Sequence, residues 1–349
     1  MKWRAACLAA LLCAASLTGC APREASATTY AMDTIVSQRV WGPQAQQACS
    51  EASRALADFE AQFSLYAAGS DIEKINDAAG QKPVAVQADT LSLLRRAQAL
   101  SLRYPCQFAL TIAPVTLAWN VNGEEPCVPD EAERAALCAL VDDTDLVLNE
   151  ADGTAFLRRA GQGLDLGGVA KGAACDAVRA IYEEYGVQGA VLDIGGNLLV
   201  YGEKADGAPF RAGFRDPLGE RGTALFSFEM ASGQVVAVSG GYERYFEADG
   251  TRYIHIFDPT TGAPAESDLA AVGAVCESGL EADFYSTTLY VGGLDEALRY
   301  MRAGGVAIAV TQDGQVYLSE TLQDGFRWES AQEGEYALHW VSEEVSQGE

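Results

Sequence analysis

Two of the chain's five Asp-Gly pairs, Asp152-Gly153 and Asp313-Gly314, constrain its 349 residues more than any other feature. Each stands between short apolar runs, residues 146–148 and 155–157 for the first, 306–311 and 316–319 for the second. Asp-Gly takes the positive φ values of a tight turn readily, so each pair predicts a hairpin of antiparallel strands. Further strand-like runs lie at 190–194, 224–228 and 235–238. Helical spacing is as clear elsewhere. Ala48, Ala52, Ala55, Leu56, Phe59 and Phe63 recur near a 3.6-residue period across 45–63. Thr90 reads as the N-cap of a helix through Leu102, 170–185 as a helix stopped by Gly186, and 281–291 and 294–302 as two more. The expected fold class is α+β, a largely antiparallel sheet core packed with helices. A doubly wound parallel sheet does not fit this run of hairpins.

At the N-terminus, Lys2 and Arg4 flank the start of an apolar run, residues 5–17, that is too short to span a bilayer. It ends in Leu17-Thr18-Gly19-Cys20, which resembles a bacterial lipobox, where Cys20 would become the lipidated first residue. The reading is a lipoprotein signal peptide over 1–19, a polar tether over 20–29 and one folded domain over 30–345. It places the domain on the extracytoplasmic face of the cell membrane, held by lipid at Cys20. The alternative is an ordinary secretory signal that contains a cysteine. A net charge of −25 argues against nucleic acid and against direct contact with anionic lipid, so the anchor is the expected membrane contact. It also disfavours a phosphate-rich ligand unless a metal or helix dipoles offset it. Of the nine cysteines, those at 7, 13 and 20 belong to the signal and anchor, which leaves six. No Cys-x-x-Cys occurs, and two histidines cannot complete a Cys/His zinc site. Disulfide pairing among the six is not legible from spacing.

Three segments could carry chemistry. Residues 238–264 hold one of the two histidines, His255, two positions before Phe257-Asp258-Pro259. A chain so poor in imidazole has few groups that move protons near neutral pH. The competing reading is a strand ending in an Asp-Pro turn, with His255 structural. Asp165-Leu166-Gly167-Gly168-Val169-Ala170-Lys171-Gly172 leads into a helix whose free N–H groups and Lys171 would suit a phosphate. Taken alone it is more readily a glycine turn, being neither a P-loop nor a dinucleotide fingerprint. Asp283 and Thr287, four apart at a helix start with Ser286 adjacent, put oxygen ligands for a hard cation on one face. Alternatively Asp283 simply complements the helix N-terminus. A second glycine element, Asp193-Ile194-Gly195-Gly196-Asn197, could border a ligand.

In order, Met32-Asp33-Thr34, Phe63–Tyr66, Ser70–Asn76, Thr111–Pro114 with Trp119, Asp165–Gly172, Gly195-Gly196, Ser239–Tyr245, His255–Pro264 and Ala282–Thr288 strongly resemble the ApbE family of FAD:protein FMN transferases. The likeness runs from about residue 30 to 320, and Asp-Leu-Gly-Gly-x-Ala-Lys-Gly and His-Ile-x-Asp-Pro-x-Thr-Gly-x-Pro are its most specific parts. The resemblance implies a T-fold-like sheet core and Mg²⁺-dependent transfer of the FMN half of FAD to a Thr or Ser hydroxyl of a partner flavoprotein, with AMP released. A redox-pump subunit or an extracellular reductase is the implied acceptor. It further implies metal contacts from Gly168, Asp283, Ser286 and Thr287, and FAD contacts from Met32, Tyr66, Gln107, Phe108, Ala109, Asp165, Lys171 and Phe257. His255 is implied as the base. The sequence departs from the family's pattern in three places. Asp33 replaces the glycine of Met-Gly-Thr, Phe108-Ala109-Leu110 lacks the acidic residue usual before Thr111, and Ser286 stands where some relatives carry Asp. FAD hydrolysis to FMN and AMP, a flavin-carrying electron-transfer lipoprotein and a solute-binding lipoprotein are the rival readings.

Overall fold

Nine strands follow one another across a single sheet in chain order: β1 (Glu24–Ala31), β2 (Thr34–Trp41), β3 (Gly189–Ile194), β4 (Asn197–Gly202), β5 (Val235–Gly240), β6 (Leu269–Cys276), β7 (Val306–Thr311), β8 (Gln315–Ser319) and β9 (Ala337–Val341). This computed structural model describes residues 24–220, 222–329 and 336–344. Every neighbouring pair is antiparallel except β8 and β9, which are parallel. The α+β class and the antiparallel core therefore hold.

Period-two alternation gives the sheet two apolar faces. Val36, Val40, Ala190, Leu192, Val235 and Ala237 pack with Ala48, Ala52 and Leu56 of α1 (Ala45–Phe63) and with Val178 and Tyr182, which belong to a helix inserted just before β3. Val200, Val236, Val275 and Ile308 face the other way, onto Phe214, Phe226 and Phe228 of a hairpin inserted between β4 and β5. Large apolar side chains buried this completely contribute about 1.5–3 kcal/mol each.

Most of the helices lie in the long excursion between β2 and β3. After α1 come α2 (Asp71–Asp77), α3 (Ala88–Ser101), α4 (Ala113–Trp119), α5 (Glu131–Cys138) and α6 (Ala170–Glu184). The first Asp-Gly hairpin, 146–149 with 154–157, belongs to a small three-stranded sheet there. α7 (Gly279–Arg302) joins β6 to β7. It contains the two helices read from sequence, because Gly293 breaks it with φ 70° and ψ −167°.

Two boundaries differ from expectation. Thr90 is not a cap: α3 starts at Ala88 with Gln87 at its N-cap, and the buried Thr90 hydroxyl donates to Asp71 Oδ2 at 2.7 Å. Asp71 also accepts the Gln87 N–H at 2.9 Å, so a carboxylate from α2 does the capping from outside the helix. Nor are residues 24–29 a tether. They form most of β1, paired with β2 from Glu24 opposite Trp41, with Arg39 and the Trp41 indole N–H both on the Glu24 carboxylate. A folded domain thus begins no later than Glu24, and one starting near Thr29 would leave β2 as a bare edge. Cys20 and the proposed signal lie outside the described residues.

Among the described residues no helix is long and apolar enough to cross a membrane. The six cysteines at 49, 106, 127, 138, 175 and 276 are all free thiols.

Candidate active site

The site begins where α6 crosses α7. A Cβ on Gly172 would stand 1.9 Å from the Gly279 carbonyl oxygen, and one on Gly279 2.2 Å from the Gly172 oxygen. Backbone contact this close is open only to glycine. Asp176 fastens the crossing by accepting the Gly279 N–H at 2.7 Å and the Leu280 N–H at 3.2 Å, a carboxylate on the positive end of α7. Gly172→Ala should therefore cost stability, by about 1–3 kcal/mol, read as an earlier denaturation midpoint. An unchanged midpoint would show that the helices can part at no expense.

This crossing sets Asp283, one turn into α7, against the start of α6. Its side chain is buried, accepts the Gly172 N–H at 3.0 Å and lies 3.4 Å from the Lys171 ammonium. One turn on, Thr287 Oγ1 comes beside Gly168: a Cβ there would meet that oxygen at 3.2 Å and the Phe108 ring at 2.7 Å. Gly168 must lack a side chain for its backbone to approach Thr287. A buried carboxylate, a hydroxyl and an adjacent backbone segment thus converge beside a lysine at a helix N-terminus. No group of three or more His, Cys, Asp or Glu able to hold a metal occurs among the described residues. The donors are few and all hard oxygens, which fits Mg²⁺, an ion that keeps waters and takes phosphate oxygens to complete its shell.

Ser286 does not join this set. It is fully buried, donates to the Asp283 backbone carbonyl at 2.9 Å, and its hydroxyl lies 2.9 Å from that of Ser239 in β5. The Ser239 contact ties α7 to the sheet and the other bond closes within the helix, so Ser286 is a strut beneath Asp283 and not a ligand facing the site.

Asp165 precedes the glycine pair, its Oδ1 accepting the Gly167 N–H at 2.8 Å and its own N–H donating to Leu110. Tyr66 projects at the rim, 67% exposed, with crowding about its hydroxyl and the Asp165 and Asp33 carboxylates raising its pKa to about 12. The Phe108 ring is committed to the core against Phe284, 4.6 Å between centroids, and Gln107 and Ala109 flank it half-buried. Phe257 is likewise buried, against Trp119, and its backbone bridges to Pro264. Any contact these two phenylalanines make with a ligand falls to their main chains.

Met32 and Asp33 form the two-residue turn between β1 and β2, with φ 54° and 56°. Asp33 is tolerated at this φ because Asp adopts the left-handed region more readily than most residues. Directly after the turn, Thr34 at the start of β2 packs on Gly195, where a Cβ would lie 2.3 Å from Thr34 Oγ1.

His255 enters from the loop between β5 and β6. Its Nδ1 lies 3.1 Å from the Arg244 carbonyl oxygen. That oxygen only accepts, so Nδ1 carries the proton and Nε2 keeps its lone pair. Burial lowers the imidazole pKa to about 4; the bond to the Arg244 carbonyl opposes the shift, while the charges of Arg244 and Lys171 add to it. The ring is therefore neutral at neutral pH, with Arg244 and Lys171 the cations that act on it. The other histidine, His339, is remote in β9, stacked on Tyr317 and bonded to Gln315. Sequence reasoning assigned no role to Arg244, Asp176 or Ser239, since their partners lie in distant segments.

A groove of about 780 Å³ elsewhere on the sheet, lined by Glu24, Arg39, Trp41, Val191 and Phe210 among others, contains none of these residues.

The α+β fold thus gathers a lysine, a buried carboxylate and a hydroxyl where α6 meets α7, a donor set that suits a phosphate-bound hard cation. The chain belongs to the ApbE family, which it matches over residues 32–310. It is 34% identical to an FAD:protein FMN transferase of Klebsiella pneumoniae over 264 residues, 75% of this chain and 81% of that one. It is 30% identical to another of Treponema pallidum over 348 residues, covering 93% and 95% of the two chains. Among solved structures, the ApbE protein of Thermotoga maritima superposes with a TM-score of 0.81 at 28% identity, covering 87% of this chain and all of that one. The flavinyl transferase ApbE of Pseudomonas stutzeri gives 0.74 at 29% identity, covering 84% and 93%.

Proposed function

We propose that this enzyme transfers the FMN moiety of FAD to a Thr or Ser hydroxyl of an acceptor flavoprotein and releases AMP. The observation that carries the reading is the Lys171 ammonium 3.4 Å from the buried Asp283 carboxylate, with Thr287 and the Gly168 backbone alongside; His255, held neutral by burial with Nδ1 on the Arg244 carbonyl, is the proton acceptor in this reading. Asp283, Thr287 and the Gly168 carbonyl would hold Mg²⁺, which when bound neutralises pyrophosphate charge and polarises the phosphorus under attack. The remaining work falls to the chain itself. Lys171 and the α6 N-terminus place positive charge where a chain of net −25 otherwise repels a dinucleotide. His255 Nε2 accepts the proton of the incoming hydroxyl, and the Arg244 carbonyl stabilises the imidazolium that results through Nδ1–H. Met32, Tyr66, Asp165 and the main chain at Gln107, Phe108, Ala109 and Phe257 would line the FAD.

The acceptor class, a redox-pump subunit or an extracellular reductase, and the lipid anchor at Cys20 on the outer face of the membrane belong to the same proposal. They rest on the lipobox-like sequence and on the family's pattern. Incubating the enzyme with FAD, Mg²⁺ and candidate acceptor domains tests the reaction. AMP formed in step with acceptor labelling supports transfer. AMP and free FMN regardless of acceptor would make it an FAD pyrophosphatase, and flavin retained with no AMP would make it a carrier.

A further inference from the structure

The segment that delivers His255 is a two-stranded hairpin, Tyr245–Ala248 with Thr251–Ile254, that pairs with no other strand. An isolated pair of this kind is marginal unless something outside holds it. Its inner side chains Phe246 and Tyr253 pack on Trp119, with the Trp119–Tyr253 centroids 5.3 Å apart. At its base, Arg244 reaches across to the turn between β1 and β2. Its Nη1 donates to Asp33 Oδ2 at 2.6 Å and its Nη2 to the Asp33 backbone carbonyl, while the Tyr30 hydroxyl donates to Asp33 Oδ1 at 2.6 Å. The carbonyl of the same Arg244 receives both the His255 N–H at 3.3 Å and Nδ1–H at 3.1 Å.

We propose that Asp33 is a positioning residue for the reaction: by clamping Arg244, it fixes the carbonyl that selects the His255 tautomer and keeps Nε2 turned toward the acceptor hydroxyl. The inference rests on the reading of His255 as proton acceptor. Magnitude argues for positioning over stability. Arg244 and Asp33 side chains are 33% and 61% exposed, and an ion pair this wet contributes between nothing and about 1 kcal/mol. Geometry is what it provides, through a two-pronged Arg grip on one carboxylate and one carbonyl, 211 residues away in sequence. The carboxylate prong is one that a glycine at this position could not make, whereas the prong on the main-chain carbonyl would remain. The charged groups acting on His255 are Arg244 from its own loop and Lys171 from α6.

Asp33→Gly is the informative variant, because glycine accepts the turn's positive φ and the hairpin need not suffer. With only two histidines in the chain, both imidazoles can be followed by nitrogen-15 NMR of the full-length protein. The wild type should show one neutral, Nδ1-protonated ring that resists titration. In Asp33→Gly that ring should populate both tautomers and titrate closer to the ordinary imidazole range. FMN transfer should slow by about 10-fold, the scale seen when a partner that orients a functional histidine is removed, at unchanged FAD affinity. Asp33→Asn keeps an acceptor for Arg244 and should recover most of the tautomer order. If Asp33→Gly keeps the single tautomer, the low pKa and the wild-type rate, the proposal is wrong. The NMR result stands whether or not His255 is the base, which His255→Ala decides separately.

Discussion

His255→Ala is expected to fold, to bind FAD and Mg²⁺ as the wild type does, and to transfer FMN roughly 10²–10⁴-fold more slowly, the usual worth of a general base. The separation follows from geometry. The carboxylate, lysine and glycine contacts belong to α6 and α7, whereas His255 hangs from the loop between β5 and β6. The wild-type pH profile carries a second mark. An unperturbed imidazole would lose base function below about pH 6.5. Here burial lowers the pKa to about 4, so transfer should persist well below pH 6 and fail only as pH approaches 4. The stability sign runs the same way. The folded pKa lies below the unfolded one, so the unfolded chain takes up the proton first and His255 withdraws stability as pH falls from about 6.5 to 4. His255→Ala should flatten that part of the stability curve. A folded variant with near-normal single-turnover transfer would remove His255 from the chemistry.

Asp283 carries the other large effect. Asp283→Asn should keep its acceptor for the Gly172 N–H, and therefore the fold, while losing the only carboxylate of the proposed metal set. Transfer should fall to the level left by chelation with EDTA, and added Mg²⁺ should rescue the chelated wild type but not the variant. Asp283→Ala should be worse in stability too, because the buried Gly172 N–H is left without its partner at about 1–3 kcal/mol. Thr287→Ala should chiefly raise the Mg²⁺ concentration required. Full activity of the wild type in chelator would end the metal assignment.

Much of this arrangement is legible in sequence because its signals are local. Apolar spacing marks α1 end to end, Gly293 marks the break in α7, and Asp-Gly marks the hairpins at 152–153 and 313–314. What escapes is set by distant partners. Residues 24–29, Glu-Ala-Ser-Ala-Thr-Thr, have a polar tether's composition and become a strand only because β2 supplies the ladder. Thr90 has the chemistry of a cap and spends it on Asp71. Ser286 has a ligand's oxygen, but Ser239, 47 positions away, sits against it. Motif spacing finds Asp283, Thr287, Gly168 and Lys171 correctly as neighbours. It cannot find that Asp33 and Arg244 meet, since nothing near either residue encodes the other.

The central claim is that this site moves FMN from FAD onto a protein hydroxyl. Intact mass spectrometry of an acceptor domain after incubation with enzyme, FAD and Mg²⁺ tests it most directly. The account predicts an acceptor heavier by one FMN moiety less water, a gain lost when the acceptor Thr or Ser is replaced by Ala and when the enzyme carries Asp283→Asn. An acceptor of unchanged mass, with FAD consumed to free FMN and AMP, would contradict it.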